Sequence, residues 1–121
     1  MNLFISYTMK DKKINEGFLR EFQDKVAIIG KAYVDLIDND SINKQKRVYE
    51  ELQRMDCLIL IESPFTKKSK WVSFELRCAE KYNKQIIKFT LEEVDKVIKG
   101  NIDVENFLEN KMSAANIAYT Q

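Results

Sequence analysis

Cys57-Leu58-Ile59-Leu60-Ile61 is a nearly unbroken apolar run, closed by Glu62-Ser63-Pro64. A short run without polar alternation is what a strand shows when helices cover both faces of a parallel sheet, so it predicts a central strand. Upstream of it, Val48, Leu52 and Met55 mark a helix, and Ala32 to Ile37 reads as a strand. Between these, Asp38-Asn39-Asp40-Ser41 is turn chemistry that also supplies a helix N-cap. Further upstream, Ile14, Phe18, Phe22 and Val26 recur every four residues as an amphipathic helix requires, Gly30 ends that unit, and Asn2 to Tyr7 forms an opening strand. Downstream, Ser69 caps a helix predicted over 70–83, and a strand follows at Gln85 to Phe89. Leu91 to Ile98 reads as a helix, and Ile117 to Tyr119 as a short last strand.

Strands alternating with helices at this pitch give right-handed crossovers and a parallel sheet. The expectation is one α/β domain over residues 1–121: a flavodoxin-like, three-layer fold with a central parallel sheet of four to five strands. Ligands of such folds bind outside the carboxyl ends of the strands. Those ends carry Ser6-Tyr7-Thr8, Asp35 to Asp38, and Glu62-Ser63-Pro64.

Composition narrows the chemistry. The 121 residues are 45% hydrophobic, enough for a single core, and carry a formal charge of +1 from 20 basic and 19 acidic residues. With the two signs interspersed, no field of one sign draws in nucleic acid, and runs such as Lys67-Lys68-Ser69-Lys70 read as solvated surface. No apolar run approaches a membrane span or a signal peptide, so a cytoplasmic location is expected. Cys57 and Cys78 match no zinc or redox spacing and read as reduced structural thiols. Histidine is absent, which removes Ser-His-Asp and Cys-His machinery and nearly all zinc enzymes. No metal site is expected, and any catalysis must rest on carboxylates, hydroxyls or amines.

One residue breaks its pattern. The helix after Ser69 puts Trp71, Val72, Phe74, Leu76, Cys78, Ala79 and Tyr82 on one broad apolar side, and Glu75 falls near the middle of it, one turn after Trp71. A carboxylate there has no packing reason to exist. Burying it costs free energy unless it is paired, neutralised or held at a functional site. Pairing with a lysine or capping of backbone amides is the structural reading; a catalytic acid beside the strand ends is the functional one.

The stretch from Ser63-Pro64 through Ser69-Lys70-Trp71 to Glu75-Leu76 resembles the serine-proline, serine-x-tryptophan and glutamate-leucine segments of Toll/interleukin-1 receptor (TIR) domains. Phe4-Ile5-Ser6-Tyr7 followed by Asp11 is similar to that family's opening strand, and Ala32 to Asp35 to its second, so the resemblance covers roughly residues 2–90. Catalytic members cleave NAD between nicotinamide and ribose with a glutamate four residues after the tryptophan. The resemblance therefore implies Glu75 as the catalytic carboxylate, with Phe4, Ser6, Tyr7, Asp35 and Trp71 contacting substrate. It implies NAD as substrate and no separate cofactor, and self-association through TIR surfaces. The loop 38–43 has neither the glycine nor the proline common there, and the region after Phe89 is short, which fits a compact bacterial TIR-like protein of the Thoeris antiphage type.

Two other readings stay open at this level. The same fold could be a non-catalytic interaction module, or an enzyme like the nucleoside deoxyribosyltransferases, which also place a glutamate on a flavodoxin-like scaffold. A phospho-receiver is disfavoured because the third strand ends in Glu62 rather than Asp, and a Rossmann dinucleotide fold because the chain has three glycines and no Gly-x-Gly-x-x-Gly.

Overall fold

The computed structural model describes the backbone of residues 1–120 and the side chains of residues 1–112. Its strands are β1 (Asn2–Ser6), β2 (Lys31–Tyr33), β3 (Cys57–Glu62) and β4 (Gln85–Thr90). Its helices are α1 (Glu16–Val26), α2 (Asp35–Asp38), α3 (Lys44–Arg54), α4 (Lys70–Lys81), α5 (Leu91–Ile98) and α6 (Val104–Thr120). All strand pairings among the described residues are parallel, in the order β2-β1-β3-β4, with Leu3 beside Cys57 and Ile59 beside Ile87. The order reverses at β1, so the crevice expected of an open α/β sheet lies at the carboxyl end of that strand.

Side chains alternate across the strands and build a core on each face. Leu3, Ile5, Ile59, Ile61, Ile87 and Phe89 meet Leu19, Phe22 and Val26 of α1, Val94 and Val97 of α5, and Val104 and Leu108 of α6. On the opposite face Phe4, Leu58 and Leu60 meet Val48 and Leu52 of α3 and Val72 and Ala79 of α4. Each such aliphatic or aromatic side chain contributes about 1.5–3 kcal/mol by leaving water. Among the described residues no helix is long and apolar enough to cross a membrane. Cys57 and Cys78 are buried free thiols, and burial pushes the Cys57 thiol up to about 12.

Helix starts follow side-chain caps. Asn15 accepts from the Phe18 amide at α1, Ser69 from the Val72 amide at α4, and Thr90 and Glu93 form a reciprocal capping box at α5. At Gly30 the chain passes so close to Met1 that an added Cβ would lie 2.1 Å from the Met1 carbonyl oxygen, and only glycine fits.

Three expectations change. The strand read over 32–37 ends at Tyr33, and Asp35–Asp38 forms a helical turn. There the Asp38 carboxylate accepts from the Val34 amide and from Gln23 Nε2, which also donates to the Ala32 carbonyl, drawing the backbone out of the sheet. The cap of α3 is Asn43 rather than a residue of 38–41, with its side chain accepting from the Lys46 amide. The short strand read at Ile117 to Tyr119 lies inside α6, so the sheet has four strands among the described residues. Val104 and Leu108, one turn apart, anchor α6 to the core, and the backbone continues helical past them with no breaker residue.

Candidate active site

Ser6 is on the same face of β1 as Phe4, one rung nearer the carboxyl end, where the apolar layer between sheet and α4 gives way to polar groups. Opposite it, the phase of α4 turns Glu75 toward the sheet together with Val72 and Ala79. The two meet: Ser6 Oγ donates to Glu75 Oε1 at 2.8 Å, with Ser6 fully buried and Glu75 3% exposed. None of the ion pairs among the described residues includes Glu75. Burial pushes its carboxyl up to about 8; the Ser6 hydrogen bond opposes this shift and the negative charge of Asp35 adds to it.

The carboxyl is not sealed in. It forms part of the wall of a cavity of about 280 Å³, with Tyr7 and Thr8 after β1, Asp35 and Leu36 of α2, and Ser69 and Trp71 at the start of α4. Trp71, 42% exposed, stands at the mouth and lies against Phe74 with ring centroids 5.5 Å apart. Asp35 is held by its surroundings, since Tyr33 Oη and Asn39 Nδ2 both donate to its Oδ1, at 2.7 and 2.8 Å. Tyr7 Oη accepts from the Leu36 amide at 3.0 Å and so ties β1 to α2, and burial raises its phenol to about 12. The lining holds the Asp35 carboxylate and the Glu75 carboxyl and, among the described residues, no lysine or arginine. Such a site suits a cationic group and disfavours a phosphate.

Of the residues singled out from the sequence, Tyr7, Asp35, Trp71 and Glu75 line this one cavity. Ser6 lies behind Glu75 and touches it directly. Phe4 differs from expectation: it is 1% exposed, packs on the Tyr33 ring at 5.4 Å in the core, and lines no part of the cavity, because the pleat at that rung points it beneath α3. Thr8, Met9, Leu36 and Ser69 also contribute wall, and Tyr33 and Asn39 support Asp35. Thr8 and Leu36 fall in segments read as strand ends, which is a readable signal; Met9, Ser69, Tyr33 and Asn39 carry no such signal. A larger cavity, about 700 Å³, runs along the outer edge of β2 between Lys31, Arg47, Arg54, Asp24, Asp38 and Glu51. Its charges are mixed and it contains no deeply buried acid, so the chemistry points to the smaller cavity despite its size.

Comparison with known proteins agrees with this fold. Residues 4–96 match the family described as Thoeris protein ThsB, TIR-like domain. The fold is similar to the crystal structure of the TIR domain of the Toll-related receptor TRR-2 from Hydra magnipapillata, with a TM-score of 0.61 at 15% identity, covering 91% of this chain and 97% of that one. No curated protein matches the chain in sequence.

Proposed function

Because the chain belongs to the family of Thoeris ThsB TIR-like domains, we propose that it cleaves NAD between nicotinamide and ribose, with Glu75 as the catalytic carboxylate. One observation carries the proposal: an acid buried to 3% exposure, given one hydrogen bond and no counter-ion among the described residues, and open on one side to a cavity at the sheet's switch point. Folding alone gives no return for that arrangement.

The chemistry needs little more. Nicotinamide in NAD is a cationic leaving group, so the bond to the ribose C1′ breaks with its electron pair passing to the ring nitrogen, and no second carboxyl has to protonate the departing atom. Ionised Glu75 stabilises the positive charge that develops on the ribose, and Ser6 holds one of its oxygens so that the other faces the sugar. Asp35, anchored through Oδ1, leaves Oδ2 to accept from ribose hydroxyls, and Trp71 offers a ring face to the nicotinamide. Water, or a nucleophile on the nucleotide itself, then attacks C1′. The product is ADP-ribose or a cyclic or conjugated derivative, which serves as a signal nucleotide in bacterial antiphage defence, and the enzyme works in the cytoplasm. Self-association through TIR surfaces belongs to the same proposal.

Purified protein incubated with NAD is expected to release nicotinamide, followed chromatographically. Glu75→Gln, which keeps shape and an acceptor for Ser6, is expected to lower the rate by at least about 100-fold. Full turnover in that variant would rule out the assignment.

A further inference from the structure

Beside the reactive cavity lies a second concavity of about 580 Å³ between α3 and α4. Asn43, Lys46, Tyr49 and Glu50 wall it on the α3 side, and Trp71 and Phe74 on the α4 side. Trp71 belongs to both cavities, so the two adjoin at one indole. Tyr49 and Trp71 are 41% and 42% exposed, and the Tyr49 hydroxyl is fixed by the Tyr82 hydroxyl at 2.8 Å. Trp71 and Phe74 are stacked on one another, with ring planes inclined by 24°. The core does not require these flat faces to be turned outward.

The first cavity is too small for a dinucleotide. Its volume of about 280 Å³ is below the roughly 300–1,000 Å³ of pockets that hold a drug-sized ligand. Any dinucleotide bound there must extend beyond it, and Trp71 is the residue that this cavity shares with the neighbouring groove. We infer that the groove between α3 and α4 is the subsite for the adenosine half of the dinucleotide, with the adenine stacked on Tyr49 beside the Trp71–Phe74 pair. This rests on the proposed NAD cleavage for the identity of the ligand. Stacking suits a base, since every base presents a π-face, and Lys46 at the rim supplies a donor for the diphosphate that the acidic inner cavity would repel.

Trp71 is the sole tryptophan of the chain, so its emission reports on ligands in the groove and in the cavity it adjoins, and the groove variants separate the two. The experiment titrates adenosine monophosphate and follows that emission. Saturable quenching is expected, weakened by about tenfold in Tyr49→Ala, as the loss of one stacking face implies. Tyr49 is a surface residue, and a thermal melt verifies that the variant folds; Phe74→Leu, which keeps apolar bulk, is expected to weaken binding in the same direction. Glu75→Gln is expected to quench like the wild type. No quenching, or quenching that both groove variants leave intact, overturns the inference and leaves NAD cleavage at Glu75 standing. Quenching lost in Tyr49→Ala, in a protein that releases no nicotinamide, supports the groove and overturns cleavage instead. A dimer in sedimentation that Tyr49→Ala dissociates, with no response to the nucleotide, assigns the groove to a second copy of the chain and also overturns it.

Discussion

Glu75 occupies a helix position that packing alone would give to a leucine, and its pKa of about 8 follows from that placement. Below that pH most of the free protein carries a neutral acid, which cannot stabilise a developing cation. The kcat/KM for NAD is therefore expected to rise with pH along a limb centred near 8. The limb in kcat should lie lower, because a bound pyridinium favours the carboxylate. Initial rates between pH 6 and 9 check this, and a flat profile would contradict it. Ser6→Ala removes the one hydrogen bond that lowers the Glu75 pKa, so the kcat/KM limb should move to higher pH, by up to about one unit if the bond is worth about 1.4 kcal/mol. At this scale the sequence was legible in part. Glu75 announces itself by its phase among Val72, Cys78 and Ala79, whereas its pairing with Ser6 depends on how α4 lies over β1, across 69 residues of chain. Phe4 and Ser6 look equivalent in a short apolar run, and only the depth of α3 and α4 over the sheet separates core from site.

Elements bring these residues to one place. Ser69 caps α4 and thereby sets where Trp71 and Glu75 begin their turn. Ser69→Ala is expected to cost about 1 kcal/mol in urea unfolding, and to raise the KM for NAD by fraying the turn that carries Trp71. Tyr7 links β1 to α2 through the Leu36 amide. In Tyr7→Phe that amide loses its acceptor, and its hydrogen exchange should accelerate by up to about tenfold while amides of β3 keep their protection. Unchanged exchange at Leu36 would show that the turn is held by other means. Most helices were legible because caps and periodicity agree locally. The turn Asp35–Asp38 was not, since Gln23 of α1 and the Asp38 carboxylate take the hydrogen-bonding groups a longer strand would have used. Such competition between side chain and ladder needs tertiary neighbours to be seen. Ile117 to Tyr119 failed for the opposite reason: a brief apolar run has no intrinsic preference strong enough to outweigh a helix already propagating from Val104.

For the molecule as a whole, Glu75 links the site to stability. Its folded pKa, about 8, lies above its ordinary value of 4.5, so its contribution is most favourable below the ordinary value and is lost as pH rises through the folded one. Across that window stability should fall by about 1.4 kcal/mol per pH unit from this group, on the order of a few kcal/mol in total. Glu75→Gln should therefore melt higher than wild type at pH 8 and nearly level with it at pH 4.5, and equal melting at both values would contradict a buried, uncompensated acid. The order β2-β1-β3-β4 followed from the alternation of strands and helices, because few topologies satisfy right-handed crossovers at this length. Which strand end would open into a cavity depended on loop packing that no local pattern encodes. The most direct test is a crystal structure of Glu75→Gln with NAD bound. The account predicts the nicotinamide in the cavity beneath Trp71, with the ribose C1′ within about 3.5 Å of the residue 75 side chain. NAD ordered elsewhere, with that side chain remote from the sugar, would contradict it.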